Sequence, residues 1–280
     1  MNTGQIGLTL ASGPREFTPD DLQIAGLVPM STVDWPGKFV ASVFCQGCPW
    51  ECAYCQNCAI LDPRIPGVVA WDALERLLAR RHGLLDGVVF SGGEATRQLA
   101  LIPAMRRVRD LGFAVGLHTA GAYPARLRAL LEEGLVDWVG LDIKALPENY
   151  PSVVARPGSG EKAWEALDIL LDYADNARRG AHASRVVGDE AETRAHVTPV
   201  VARVDYEVRL TVYPGGPRDG LDVALALKER GVASFALQQA RAQGTPDAFV
   251  AEQAGWDGQV LALADACEAL GFETFTRRLT

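Results

Sequence analysis

Five of the six cysteines in this 280-residue chain fall within Cys45-Gln46-Gly47-Cys48-Pro49-Trp50-Glu51-Cys52-Ala53-Tyr54-Cys55-Gln56-Asn57-Cys58. Thiolates are soft ligands that suit iron–sulfur clusters or zinc, and so tight a group is a poor disulfide framework. The spacing Cys48-x3-Cys52-x2-Cys55 puts three thiols on one short loop. Such a loop can hold three irons of a cubane cluster and leave the fourth open to a substrate, much as catalytic zinc sites keep one position free. Zinc is the competing reading, because Cys45-x2-Cys48 and Cys55-x2-Cys58 are two Cys-x2-Cys pairs. Only six residues separate them, whereas zinc sites usually place about a dozen or more between such pairs. Cys45 and Cys58 therefore stand outside the metal set, as spectators or as aids to cluster assembly. Cys267 falls on an apolar helical stripe and reads as core.

Other reactive groups stand at the ends of apolar runs. Phe90-Ser91-Gly92-Gly93-Glu94 offers two glycines that let the backbone approach a ligand closely, with a carboxylate beside them. His118 ends the next run, as a site residue or as a hydrogen-bonded structural one. Asp142 and Lys144, two apart on a strand, point the same way, either both into a cavity or paired at the surface. Arg209 and Thr211 share one face of a later strand. An arginine on an apolar strand needs a partner. A carboxylate ligand suits its fork, and a buried pair with Glu207 or Asp142 is the alternative.

These positions presuppose alternating elements. Short apolar runs at Phe39–Phe44, Gly87–Phe90, Phe113–Leu117, Trp138–Ile143, Tyr206–Tyr213 and Ser234–Leu237 read as strands buried on both faces. Ile24–Val28 precedes them as a short strand, and Phe272–Phe275 follows as a last one. Between them lie amphipathic helices whose stripes are Trp71, Leu74 and Leu78; Leu101, Met105 and Val108; Leu127, Leu130 and Leu131; Trp164, Leu167 and Leu171; and Val260, Leu263, Cys267 and Leu270. Pro124 suits a first helical turn and Gly134 a C′ position, while Asp219 suits an N-cap. Six β-then-α units imply right-handed crossovers and a parallel sheet, closed in part or open. Residues 1–23 read as a loosely packed N-terminal extension, and 24–280 as one domain. The polar stretch at about 175–200 is too long for an ordinary connection and reads as an insertion, partly helical near Glu190–Ala195.

The cysteine loop after a first strand, with Tyr54 before the third cysteine, resembles the radical S-adenosylmethionine (SAM) enzymes. Leu27-Val28-Pro29-Met30-Ser31-Thr32-Val33-Asp34-Trp35-Pro36-Gly37-Lys38, then Phe44-Cys45-Gln46-Gly47-Cys48-Pro49 and Tyr54-Cys55-Gln56-Asn57, narrow the likeness. They resemble the activating proteins of anaerobic ribonucleoside-triphosphate reductase, which are glycyl-radical-enzyme activases. The likeness is dense from Ile24 to Lys144, returns over Tyr206–Pro214, and is absent over roughly 175–200.

That resemblance implies a partial (β/α)6 TIM-like barrel with its chemistry at the strand C-termini. It implies a [4Fe-4S] cluster on Cys48, Cys52 and Cys55, and SAM held by Tyr54, Gly92, Gly93, Glu94, Asp142 and Lys144, to which Arg209 is added as the fork for SAM's carboxylate on its own chemistry. Ala95 stands where the family often has proline, which alters loop stiffness but removes no ligand. The implied reaction is reductive cleavage of SAM and formation of a glycyl radical on a partner reductase. A one-electron donor such as flavodoxin or ferredoxin would feed it. Two rivals stay open: a radical SAM enzyme acting on a small molecule, like 7-carboxy-7-deazaguanine synthase, and a non-enzymatic metal or electron-transfer protein.

Composition excludes little else. With 48% hydrophobic and 22% charged residues the chain is ordinary for a globular protein, and its net charge of −8 argues against a dedicated nucleic-acid binder. It shows no secretory signal and no apolar run near the ~20 residues needed to span a bilayer, so the expectation is a cytoplasmic protein.

Overall fold

The computed structural model describes residues 15–186, 204–251 and 253–279, with the backbone alone over 176–186. Strand β1 (Ile24–Ser31) pairs antiparallel with β2 (Val40–Cys45). From β2 onward the strands run parallel in chain order: β3 (Gly87–Gly92), β4 (Ala114–Thr119), β5 (Trp138–Asp142), β6 (Asp205–Val212), β7 (Ser234–Gln239) and β8 (Thr274–Arg278). The eight-stranded sheet does not close, so β1 and β8 are its edges. The alternating pattern leaves a partly closed and an open sheet both possible, and this is the partial TIM-like barrel that the family resemblance implies.

The crossovers carry the helices: α1 (Trp71–Ala79), α2 (Leu101–Asp110), α3 (Pro124–Glu132), α4 (Tyr150–Val154), α5 (Ser159–Val186), α6 (Gly220–Glu229) and α7 (Trp256–Ala269). Their apolar stripes explain why they form. Leu74, Leu78, Leu101, Met105, Leu127 and Leu130 are fully buried against the sheet, each worth roughly 1.5–3 kcal/mol relative to exposure. Pro124 opens α3 and Gly134 ends it at a φ of 62°, a left-handed position that glycine takes without steric cost. Cys267 is fully buried on α7. Among the described residues no helix is long and apolar enough to cross a membrane.

The two faces of each strand do different work. One face packs on the helices through Val43, Val88, Phe90, Val115, Leu117, Val139, Leu141, Val208 and Leu210. The other faces the barrel interior, whose lower half is a separate cluster of Trp35, Val40, Val89 and Trp138. Trp35, from the β1–β2 connection, stacks on Trp138 with ring centroids 5.7 Å apart. A Cβ at Gly116 would lie 2.9 Å from the Trp35 ring, so β4 needs glycine there. This apolar floor leaves the polar inner residues to the C-terminal half.

The structure departs from the sequence reading in four places. Residues 17–23 are held rather than loose. Leu22 is buried, Phe17 packs on the core, and Gln23 exchanges hydrogen bonds with Gln98. Helix α4 was not expected, being too short for periodicity to reveal. Asp219 stands at the N-cap of α6 but makes no side-chain cap bond. Its carboxylate instead accepts from Leu146 N at 3.0 Å and Asn149 Nδ2 at 2.7 Å. Finally, α5 runs on to Val186, so the first part of the expected insertion is helical. Residues 1–14 and the expected helix near Glu190–Ala195 lie outside the described residues.

Candidate active site

The cysteine loop leaves β2 at the C-terminal end of the barrel strands, and the backbone fixes it on three sides. Gly47 N and Cys48 N donate to Ile60 O and Leu61 O at 2.8 and 3.0 Å. Glu51 N and Ala53 N donate to Val154 O and Val153 O, at 3.1 and 3.2 Å. A short helix leaves its last carbonyls without internal partners, and α4 spends these two on the loop. Ala155, at a left-handed φ of 54°, ends α4. The Gln46 side chain bonds Ile60 O and Asp62 O, and Gln98 Nε2 reaches Gln46 O.

The turn after β3 forms the third side. Gly93 N and Glu94 N donate to Cys45 O and Gly47 O, both at 2.9 Å, and Asn57 Nδ2 donates to Gly92 O at 3.0 Å. A Cβ at Gly92, whose φ is 108°, would lie 2.3 Å from Cys45 N, and one at Gly93 would lie 2.4 Å from Gly47 O. The two glycines thus let this turn lie against the cysteine loop itself.

The thiols divide by position. Cys45 is fully buried in the main core, where burial and then the nearby Glu94 charge push its thiol up to about 12. Cys58 Sγ donates to Gly244 O at 3.2 Å, tying the connection after β7 to the loop. Cys48, Cys52 and Cys55 are half-buried. Burial raises all three thiols, Cys48 to about 12, and a bound metal's positive charge would favour their thiolate forms. Among the described residues no three His, Cys, Asp or Glu side chains gather closely enough for a single ion. A polynuclear cluster would ask for something else, because its thiolate ligands need not share one metal ion. Three soft thiols on one loop fit such a cluster by the chemistry of the donor set.

Glu94 lies under the turn, 1% exposed. It accepts from Thr96 N, Thr96 Oγ1, Thr119 Oγ1 and Ala120 N. Burial still holds its pKa above the usual carboxylate range against these donors. Thr96, Thr119 and Ala120 were not singled out from sequence. Two of them come from the end of β4, and nothing local to Glu94 announces them.

Inside the mouth, Asp142, Lys144 and Arg209 come together. Arg209 Nε donates to Asp142 Oδ1 at 2.7 Å and Nη2 to Gly140 O at 3.2 Å. Arg209 therefore pairs with Asp142, while Glu207 pairs with Arg278. Lys144 Nζ lies 3.5 Å from Asp142 Oδ2 and donates to Tyr54 OH at 3.3 Å. Burial would raise the Asp142 pKa, but the Arg209 and Lys144 charges outweigh it and hold the carboxyl below its usual range. Tyr150, absent from the sequence reading, clamps the bend: Lys144 N donates to its hydroxyl at 3.0 Å, and that hydroxyl donates to Asp142 O at 3.3 Å.

His118 belongs to the scaffold. Its Nε2 lies 2.6 Å from Asp34 O, which can only accept, so Nε2 carries the proton and Nδ1 faces Ser91 Oγ at 3.3 Å. Burial first, then the Arg209 charge, push its pKa down to about 3, which keeps the ring neutral.

Beside the loop opens a cavity of about 1170 Å³, lined by Cys48, Cys52, Arg97, Arg156, Tyr213 and Phe249 among others. Tyr213 connects it to the barrel interior, since its ring centroid is 4.7 Å from that of Tyr54. The space exceeds what a drug-sized ligand needs.

The profile described as "Radical SAM superfamily" matches residues 42–204. Two Methanocaldococcus jannaschii proteins with the provisional name of glycyl-radical enzyme activating enzyme are similar in sequence. One is 32% identical over 153 residues, 53% of this chain and 61% of that protein. The other is 28% identical over 131 residues, 46% of this chain and 48% of that protein. The match thus spans less than two thirds of either relative. Among solved structures, anSMEcpe with bound AdoMet superposes with a TM-score of 0.52 at 16% identity, covering 83% of this chain and 59% of that one. SuiB of Streptococcus suis superposes with a TM-score of 0.51 at 9% identity, covering 85% and 47%. At such identities these two show the shared fold alone.

Proposed function

This chain belongs to the Radical SAM superfamily, and on that premise we propose that it activates a glycyl-radical enzyme, namely an anaerobic ribonucleoside-triphosphate reductase. The observation that carries the reading is the placement of Cys48, Cys52 and Cys55 on the β2 loop at the mouth of an open barrel. The names of the two archaeal relatives support activation of a glycyl-radical enzyme.

Cys48, Cys52 and Cys55 would hold a [4Fe-4S] cluster, with Tyr54, Gly92, Gly93, Glu94, Asp142, Lys144 and Arg209 around SAM. When bound, cluster and SAM supply one-electron reduction of a sulfonium and a radical able to abstract hydrogen. The chain's own residues bind and orient. Asp142 holds Lys144 and Arg209 in place, and the N–H groups these cations keep beyond that pairing suit a carboxylate. Glu94 shapes the Gly92–Gly93 turn through its internal donors, and its buried negative charge favours a cationic amino group nearby. The gap between β1 and β8 admits a glycine-bearing loop of the reductase. A one-electron carrier such as flavodoxin or ferredoxin supplies the electron.

The test is anaerobic reconstitution with iron and sulfide, then incubation with SAM, reductant and a candidate reductase. A glycyl radical on the reductase by electron paramagnetic resonance is expected. SAM cleavage without that radical on any such reductase would favour a small-molecule substrate instead.

A further inference from the structure

The contacts proposed for cluster and SAM use the ends of β2 to β5 and Arg209 of β6, and leave the inner wall of β7 and β8, and of β6 beyond Arg209, unassigned. There the register sets Thr211 beside Gln238, and Gln238 beside Arg278. This row crosses three strands at the same C-terminal end as the cysteine loop. Arg278 Nη1 donates to Gln238 Oε1 at 3.1 Å, and Gln238 Nε2 donates to Thr211 Oγ1 at 3.2 Å. Those two bonds fix which way the Gln238 amide points.

Glu207, 3% exposed, lies against the row. Its carboxylate oxygens lie 2.7 and 2.9 Å from Nη1 and Nη2 of Arg278. The pairing cancels the arginine's charge and would set any incoming carboxylate or phosphate against a buried negative partner. With Arg278 paired to Glu207, Gln238 and Thr211 keep two neutral donors beyond these bonds: the second amide N–H of Gln238 and the hydroxyl proton of Thr211. Thr211, Gln238 and Arg278 are all half-buried, and β8 is an edge of the unclosed sheet. A neutral donor pair beside an open edge matches a backbone carbonyl of an extended chain, not an anion.

We propose that Thr211 and Gln238, oriented by Arg278 and Glu207, bind a peptide carbonyl of the substrate protein and select it over anionic small molecules. The inference rests on the activase reading and names the substrate class at that same site. Arg278 and Glu207 are positioning residues in it.

The experiment uses the full-length, reconstituted protein with the reductase as substrate and glycyl radical as readout. In Gln238→Ala and Thr211→Val, KM for the reductase should rise about 5- to 10-fold, the worth of one neutral hydrogen bond. At saturating reductase kcat should stay within about twofold. The SAM dissociation constant, measured in the same samples, separates this from general damage. Capped pentaglycine, acetylated and amidated, should compete with the reductase on the wild type and lose potency on Gln238→Ala. An unchanged KM and undiminished competition in both variants would overturn the proposal. So would a SAM dissociation constant that rises in step with KM, or stronger competition from uncapped pentaglycine than from the capped form. A wild type that installs no glycyl radical on the reductase overturns the activase reading, and this inference with it.

Discussion

At the scale of single residues, the three half-buried thiols differ from their two neighbours by what surrounds them. Cys45 is sealed in the core and Cys58 is spent on Gly244 O. Cys48→Ala, Cys52→Ala and Cys55→Ala should each abolish SAM cleavage and the iron–sulfur absorption. Cys45→Ala and Cys58→Ala should retain both. Cluster loss in Cys45→Ala with retention in Cys48→Ala would reverse the ligand assignment. Lys144 is tested by binding. It is 9% exposed, and a charged hydrogen bond lost there costs about 1.5–3 kcal/mol, so Lys144→Met should raise the SAM dissociation constant roughly 10- to 150-fold. Calorimetry on cluster-replete protein checks it, and an unchanged affinity would leave Lys144 as a structural partner of Asp142 and Tyr54. Glu94→Gln should act differently, because an amide cannot accept all four internal donors. We expect the turn to loosen and cluster content to fall along with SAM affinity. Intact cluster with weak SAM binding alone would instead make Glu94 a direct ligand.

At the scale of elements, the site is a contact between two loops, and glycine sets how closely they approach. Gly93→Ala puts a methyl 2.4 Å from Gly47 O, against backbone that cannot move without shifting Cys48. The expected result is a folded protein by circular dichroism with less than half the wild-type iron, and full iron loading would show that the loops yield. The cysteine spacing, the strand ends and the helical stripes were legible because each is a local pattern read from adjacent residues. What supports them was not. Glu94's donors at Thr119 and Ala120 come from another strand, and Tyr150 works from a helix of five residues too short to show a period. Asp219 looks like a cap by position, yet it faces the loop before α4, a choice made by tertiary contact. Arg209 was readable as an arginine in need of a carboxylate, but only the parallel register of β5 and β6, which sets Asp142 opposite it, decides which one.

At the scale of the molecule, the barrel has a working end and a far end, and α5 distinguishes them. It begins near the mouth, where the Trp164 indole donates to Ala145 O at 3.1 Å just past β5, and runs back toward the strand N-termini. Its 28 residues span about 42 Å at 1.5 Å each. The eight residues of β6 span about 26 Å at 3.3 Å each. The helix is therefore longer than the strand that follows it, and in a βα barrel an αβ connection belongs to the face opposite the active-site mouth. We propose that residues 187–203 take no part in SAM chemistry. Replacing them with a Gly/Ser linker of equal length should leave cluster content and reductant-driven SAM cleavage within about twofold of wild type. Any loss should appear in activation of the reductase. A lid over the mouth predicts the opposite pattern: faster cluster loss in air and slower SAM cleavage even without partner. Measuring air stability and partner-free cleavage on the same variant separates the two. A collapse of partner-free cleavage in folded, cluster-replete protein would place this segment at the mouth after all.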